Sequence, residues 1–192
     1  MKYYVGVDGG GTKTDAILID QNKRIKGYGH AGGSNAAAVD QKVALANLTK
    51  AIKQAVRNHQ NQKLKATLAI GGVDSEKIRN NWQTIIAHHA FLSKLFQEPA
   101  QIVNDSVAAL RSGTTDKNAI VIIAGTGSIC YGRNAQGKET KTGGVNHILS
   151  DEGSAYDIGI KILQSCTQAL DGRGPDTILK DLLFEKFQLG SL

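Results

Sequence analysis

Cysteine and proline are almost missing from this sequence, with two of each in 192 residues. Two thiols, Cys130 and Cys166, cannot build a disulfide framework, and neither has a Cys-x-x-Cys or histidine-rich companion. Both read as small core residues of a reducing compartment. So little proline excludes a proline-rich linker, and aromatics at 5% leave few rings for stacking nucleobases. The longest apolar run, Ala119 to Ala124, is far shorter than the ~18 residues a membrane span needs. Asp8 interrupts the N-terminus before a signal-type apolar region forms. The expectation is a cytoplasmic protein with no membrane partner.

What is present is ordinary globular material with one bias. Hydrophobic residues at 41% and charged residues at 21% are enough to bury a core. Glycine occurs 22 times, where average usage of about 7% gives roughly 13, so many tight backbone turns are expected. The net charge of +6 suggests a phosphorylated ligand or nucleic acid. The basic residues are dispersed, however, and the densest stretch (Lys50, Lys53, Arg57, Lys63, Lys65) has no interleaved aromatics. No nucleic-acid partner is expected.

Apolar runs and turns predict a meander over Tyr3 to Val7, Ala16 to Ile19 and Ile25 to Tyr28, paired antiparallel. A helix follows over about 39–57, where Leu45, Leu48, Ile52 and Val56 form one stripe. Then come a strand at Ala66 to Gly72, a helix from Glu76 to Phe91, a strand at Gln101 to Val103 and a helix from Asp105 to Gly113. From Asn118 the pattern restarts. Ala119 to Ala124 reads as a continuously buried strand, followed by strands at Ile129 to Arg133 and Glu139 to Thr142. A helix over about 152–170 carries Ile158, Ile162, Cys166 and Leu170 on one face, and Pro175 opens a last helix reaching about Phe187. The expected organisation is therefore α/β, with a domain over 1–117 and the first part of a second, similar domain over 118–192. The second is short for a domain and is expected to be incomplete, so that its sheet is completed by another chain or continues elsewhere.

Chemistry concentrates at the turns. Between the first two strands, Gly9, Gly10 and Gly11 let backbone amides converge on an anion, Thr12 adds a hydroxyl and Lys13 a positive charge. A phosphate fits such a loop, with Asp8 holding a hydrated Mg²⁺ against it. A plain glycine hairpin with a turn aspartate is the competing reading, since neither standard phosphate-loop spacing is present. Gly125-Thr126-Gly127-Ser128 repeats the combination at the equivalent place in the second unit, and two such loops suit a polyphosphate such as ATP. Asn104-Asp105 stands at a strand-to-helix junction, where a carboxylate either accepts a proton from an attacking hydroxyl or simply caps the helix. Asp151, opening the later helix after Gly143 to His147, either binds a polar substrate or serves the helix dipole.

Asp8 to Thr14, Ser34-Asn35, Asn104-Asp105, Gly125 to Ser128 and Gly143 to Tyr156 resemble, in order and spacing, the N-acetylglucosamine kinases of the BadF/BadG/BcrA/BcrD ATPase family. That family lies within the actin, heat-shock ATPase and sugar kinase superfamily. The resemblance implies duplicated ribonuclease-H-like (actin-like ATPase) domains, the second truncated here, binding ATP with Mg²⁺. It implies Thr12 and Thr126 on the ATP phosphates and Asp105 as the base for a sugar 6-hydroxyl. Asn35, Ser128, Ile129, Gly144, Val145, Asn146, His147 and Asp151 would line the sugar pocket. Two departures stand out. These kinases usually show Gly-Gly-Trp-Gly-His where this chain has Gly143-Gly144-Val145-Asn146-His147, and their later adenosine-binding segment and final helix have no counterpart before Leu192. A homodimer is expected. The alternatives are an activator ATPase of the dehydratase type, whose iron–sulfur cluster needs thiolates in motifs this chain lacks, and a non-catalytic sugar or nucleotide sensor.

Overall fold

A computed structural model describes residues 1–190, and the chain divides into two compact units, Met1–Thr115 and a second from Asp116 onward. The first holds a five-stranded sheet built from β1 (Tyr3–Gly9), β2 (Lys13–Asp20), β3 (Ile25–Gly32), β4 (Leu64–Ile70) and β5 (Gln101–Val103), in the order β3-β2-β1-β4-β5. The meander pairs antiparallel, as its short turns require, while β4 and β5 run parallel to β1. Between them the chain returns through helices α1 (Gln41–Ala55), α2 (Glu76–His88) and the single turn α3 (Leu92–Leu95), and α4 (Asp105–Gly113) follows β5. The helix predicted to reach Phe91 stops at His88, with His89 in extended conformation as its C-cap.

Period-two alternation places Val5, Val7, Ala16 and Leu18 on the buried face of the sheet, and Leu48, Ile52 and Val56 meet them from the α1 side. Trp82 and Ile86 of α2, with Leu92 and Leu95, complete the same core. Helix α1 lies unusually close to β3. A Cβ added at Gly27 would run into the carbonyl oxygen of Ala55, and one at Gly29 into that of Ala51. Small residues on both elements make this approach achievable.

The β2–β3 hairpin is fixed by Asp20. Its Oδ1 accepts hydrogen bonds from the amides of Asn22 (2.8 Å) and Arg24 (3.0 Å), and Lys26 Nζ lies 3.3 Å from Oδ2. These contacts, the Arg24 amide first, hold the Asp20 carboxyl below its ordinary value. A depressed carboxylate contributes stability above its unfolded value near 3.9 that is lost as pH falls through the folded one. Asp20→Asn keeps an acceptor for both amides but removes the charge. Thermal melts from pH 7 to 2 should therefore show a shallower acid decline in the variant than in wild type, and parallel curves would contradict this role.

The second unit contains the antiparallel sheet β6 (Ala119–Ala124), β7 (Ser128–Arg133) and β8 (Glu139–Gly143), then α5 (Ala155–Leu170) and α6 (Ile178–Phe187), which pack on each other. Several expectations change here. Strand β6 is not buried throughout: it alternates, with Ile120 and Ile122 74% and 75% exposed and Val121 and Ile123 half-buried. On α5, Cys166 is buried and Ile162 half-buried, but Ile158 and Leu170 are exposed. Helix α5 begins three residues later than predicted because the buried Ser154 caps it, its Oγ accepting from the Asp157 amide at 3.1 Å. Thr177, rather than Pro175, marks the start of α6. Among the described residues no helix is long and apolar enough to cross a membrane.

Candidate active site

In the first unit the predicted residues gather where β1, β4 and β5 end. Parallel register puts Asp8 beside Ala69 and Gly9 beside Ile70, and Val103 beside Ala69. The chain segments leaving these strands are therefore neighbours, at the carboxyl edge where α/β sheets bind ligands. The glycine loop closes by a hydrogen bond from the Gly10 amide to Lys13 O (2.9 Å), leaving Gly11 and Thr12 exposed at its tip. The amides of Ser34 and Asn35 both donate to Gly10 O (2.9 and 3.0 Å), and the Gly71 amide donates to Gly9 O (2.8 Å). A Cβ on Gly33 would strike Gly11 O, so the 33–35 segment lies directly against the loop.

Beneath the loop sits a pair whose contact the sequence did not foretell, although both residues lie in stretches that carry the family resemblance. Thr14 Oγ1 donates to Gly32 O and lies 2.7 Å from Ser34 Oγ, and both side chains are fully buried. Two satisfied hydroxyls in a dry position tie β2 to the 33–35 segment and keep the loop's base rigid. The sequence signal was slight, being only a threonine and a serine flanking glycines.

Asp105 is the first residue of α4, and Asn104 is its cap: Asn104 Oδ1 accepts from the Ser106 amide at 3.0 Å. Capping, the bland reading of the aspartate, is thus carried by its neighbour, although Asp105 Oδ1 also accepts from the Ser106 amide at 2.9 Å. Asn104 Nδ2 donates to Asp74 Oδ1 at 3.1 Å. The Asp105 carboxyl is half-buried and pushed above its ordinary value, chiefly by burial, with the charges of Asp8 and Asp74 acting in the same direction against the Ser106 amide. Asp8 is exposed, but protein packed along one side of its carboxyl raises it, as does Asp15, while Lys13 opposes the rise. Raised carboxylates at a strand edge are a recurrent mark of catalytic sites. The shared excess of negative charge is also an environment that a divalent cation relieves, so Asp8 fits the role of a magnesium ligand.

Lys13 stands differently from the expectation. Its Nζ lies 3.0 Å from Asp15 Oδ2, and Asp15 Oδ1 in turn accepts from Tyr28 OH (2.5 Å) and lies 2.7 Å from His30 Nδ1. These three contacts, His30 first, hold the Asp15 carboxyl far below its ordinary value. The ammonium predicted for a phosphate is shared with this cluster.

In the second unit the Gly125–Ser128 loop and the residues before α5 form one structure. Ala155 N donates to Gly125 O (2.8 Å), Ser128 N to Asp151 Oδ1 (3.2 Å) and Ser128 Oγ to Glu152 O (2.8 Å). Asp151 Oδ2 stands 2.9 Å from where a Gly127 Cβ would be, so Gly127 gives the carboxylate its space. Thr126 is exposed in the same loop. Gly143 and Gly144 both adopt left-handed backbone (φ 76° and 67°) and reverse the chain after β8, setting Gly144 against the Ile129 side chain. Val145 N donates to Ser150 Oγ at 2.8 Å, Asn146 Oδ1 accepts from Ile148 N at 2.8 Å, and the His147 ring meets Tyr156 edge-on at 4.7 Å. Every second-unit residue expected to bind ligand therefore lies in this loop cluster or on Ile129.

Comparison with known proteins bears on these two constellations together. The model of the BadF/BadG/BcrA/BcrD ATPase family matches residues 5–187. The chain belongs to this family. It is 32% identical over 194 residues to the N-acetylmuramic acid/N-acetylglucosamine kinase of Clostridium acetobutylicum, covering 100% of this chain and 62% of that protein. It is 34% identical over 199 residues to the N-acetyl-D-glucosamine kinase of Dictyostelium discoideum, covering 97% of this chain and 60% of that one. The chain thus spans about three fifths of the length of these curated relatives. Among solved structures it superposes on a candidate N-acetylglucosamine kinase from Porphyromonas gingivalis with a TM-score of 0.74 at 19% identity, over 98% of this chain and 63% of that one. At that identity the likeness is one of fold, and it agrees with the expected α/β class.

Proposed function

We propose that this member of the BadF/BadG/BcrA/BcrD ATPase family is an amino sugar kinase that transfers the γ-phosphoryl group of ATP to the 6-hydroxyl of N-acetylglucosamine. The observation that carries the proposal is the half-buried, upward-shifted Asp105 carboxyl at the sheet edge shared with Asp8, Asn35 and the glycine loop. A carboxylate so placed accepts the hydroxyl proton as the oxygen attacks phosphorus. The names of the curated relatives support the sugar and the reaction class.

In this reading the Gly9 to Thr12 loop of the first unit donates to phosphate oxygens, and the Thr126-Gly127 loop is the second unit's repeat of that plan. Asn35 in the first unit, and separately Ser128, Asp151 and the backbone around Gly144 in the second, are read as sugar contacts. Val145 and Asn146 stand where the kinases it resembles carry tryptophan and glycine, which opens this side of the sugar site to a bulkier substituent than a tryptophan wall admits. Asp8 would hold Mg²⁺, whose bound charge offsets the negative charge of the phosphates. Lys13, paired with Asp15, steers anions toward the loop.

The test is a coupled assay with N-acetylglucosamine and its 6-deoxy analogue. Phosphorylation of the parent sugar and none of the analogue is expected. Equal rates on both would remove the 6-hydroxyl from the reaction, and ATP turnover independent of any sugar would overturn the kinase reading.

A further inference from the structure

Gly71 and Gly72 follow β4 directly, and neither carries a group that binds or reacts. Their surroundings differ in kind. A Cβ built on Gly71 meets only side-chain ends: Asn35 Nδ2 at 2.6 Å, Asp105 Oδ2 at 3.0 Å and Asn35 Cγ at 3.2 Å. One built on Gly72, whose φ is 76°, meets the Ala37 amide nitrogen at 2.6 Å, Asn35 Oδ1 at 2.7 Å and Ala37 Cβ at 2.8 Å.

The Gly71 peptide is pinned on both sides. Its amide donates to Gly9 O (2.8 Å), and its carbonyl accepts from the Ala36 amide (2.7 Å). It therefore links the glycine loop, the Asn35 segment and the end of β4. Asn35 is anchored at its backbone, its amide donating to Gly10 O, and at Oδ1, which accepts from the amides of Ala37 (2.8 Å) and Ala38 (3.2 Å). The Nδ2 end is the part that extends over Gly71. Asp105 brings Oδ2 to the same point, held at the start of α4 by the Asn104 cap. An amide donor and a carboxylate oxygen from two distant stretches of chain thus converge on Gly71, the first residue after β4, where no side chain stands.

We propose that Gly71 is a positioning residue for the phosphoryl acceptor: its bare Cα lets the Asn35 amide and the Asp105 carboxylate close to the spacing at which one sugar hydroxyl region contacts both. The assignment rests on reading Asn35 and Asp105 as sugar-binding groups. A methyl at this point cannot be accommodated by the pinned backbone, so the two side chains must part. Because the atoms that must move belong to side chains and not to main chain, the fold tolerates the change while the site does not.

The experiment compares Gly71→Ala, Gly72→Ala, Asn35→Ala and the Gly71→Ala/Asn35→Ala pair in the full 192-residue chain. Gly71→Ala is expected to melt within about 3 °C of wild type, to shift the side-chain amide NMR signals of Asn35 in the unliganded protein, and to weaken N-acetylglucosamine binding about tenfold by calorimetry. With Asn35 already truncated, adding Gly71→Ala should weaken binding by no more than about twofold, since the displaced partner is gone. Gly72→Ala, strained in its backbone, should instead lose thermal stability. In turnover, displacement of Asn35 raises KM and displacement of Asp105 lowers kcat, a split that general loosening of the fold does not produce. Unshifted Asn35 signals, unchanged affinity, or a loss of melting temperature matching that of Gly72→Ala would each overturn the assignment. If wild type binds no amino sugar, the kinase reading fails by itself, and the Asn35 signals together with the melting temperatures still decide whether Gly71 sets the two side chains.

Discussion

Asp105→Asn is expected to lower phosphoryl transfer by a factor of about 10² to 10⁴, the range over which a positioned general base contributes, with the fold intact. Two features separate this outcome from a structural one. The helix cap is supplied by Asn104, and asparagine at 105 retains an acceptor for the Ser106 amide, so α4 should start as before. The direction of the carboxyl's shift also matters. A carboxyl raised by burial and by Asp8 and Asp74 is less favourable as an anion in the fold than in the unfolded chain. It therefore costs stability at any pH above its folded value, and the cost disappears below the unfolded value. Removing the charge at neutral pH should leave the melting temperature unchanged or slightly higher. Such opposition between stability and function is common where a site holds a group in an unfavourable state. Initial rates with N-acetylglucosamine and ATP, paired with thermal melts, check both halves. Full turnover in the variant removes Asp105 from the chemistry, and a large fall in melting temperature returns it to a structural role.

The parts of this molecule that the sequence disclosed are those governed by local pattern. Strands β1 to β3 were legible because apolar residues alternate between turns rich in glycine, aspartate and asparagine, and the structure extends each strand by only a few residues. Helix α4 was legible from the step between Val103 and Asp105, where an apolar run gives way to capping residues. What pattern cannot see is who occupies the other side. The run Ala119 to Ala124 looks buried throughout because all six residues are apolar, yet burial depends on neighbours from elsewhere in the fold, and alternate residues of β6 lack them. The same holds for Ile158 and Leu170 on α5. At the site, side chains with chemistry announced themselves, as with Asp8, Asn35 and Asp105. Residues that work by being small or by pairing out of sight did not: Gly71, and the hydroxyls of Thr14 and Ser34, gain their roles only through contacts about 20 residues or more away in sequence.

Gly29→Ala is expected to be the most damaging single methyl in the first unit. Gly29 is buried in β3, facing Ala51 of α1, and its added Cβ would fall inside the carbonyl oxygen of Ala51, with the Ala51 carbonyl carbon and the Ala55 amide nitrogen each at 2.9 Å. These are main-chain atoms of a regular helix and cannot rotate aside. Either α1 lifts off the sheet, opening space around the fully buried Leu48 and Ile52, or β3 bends away from β2. Overpacking typically costs about 1 to 3 kcal/mol, and a clash against backbone belongs at or above the top of that range. Against a total stability of order 5 to 15 kcal/mol for a domain, a loss of about 3 kcal/mol lowers the melting temperature by roughly 10 °C or more. Gly6→Ala in β1 is the matched control, since nothing lies within 4 Å of its added Cβ. It should be neutral or slightly stabilising, because alanine loses less conformational entropy than glycine on entering a strand. Urea unfolding of the two variants distinguishes the cases. A Gly29→Ala midpoint equal to that of Gly6→Ala would mean that α1 does not lie against β3 at this distance, and the path of the chain from the Asn35 segment into α1 would have to be redrawn with it.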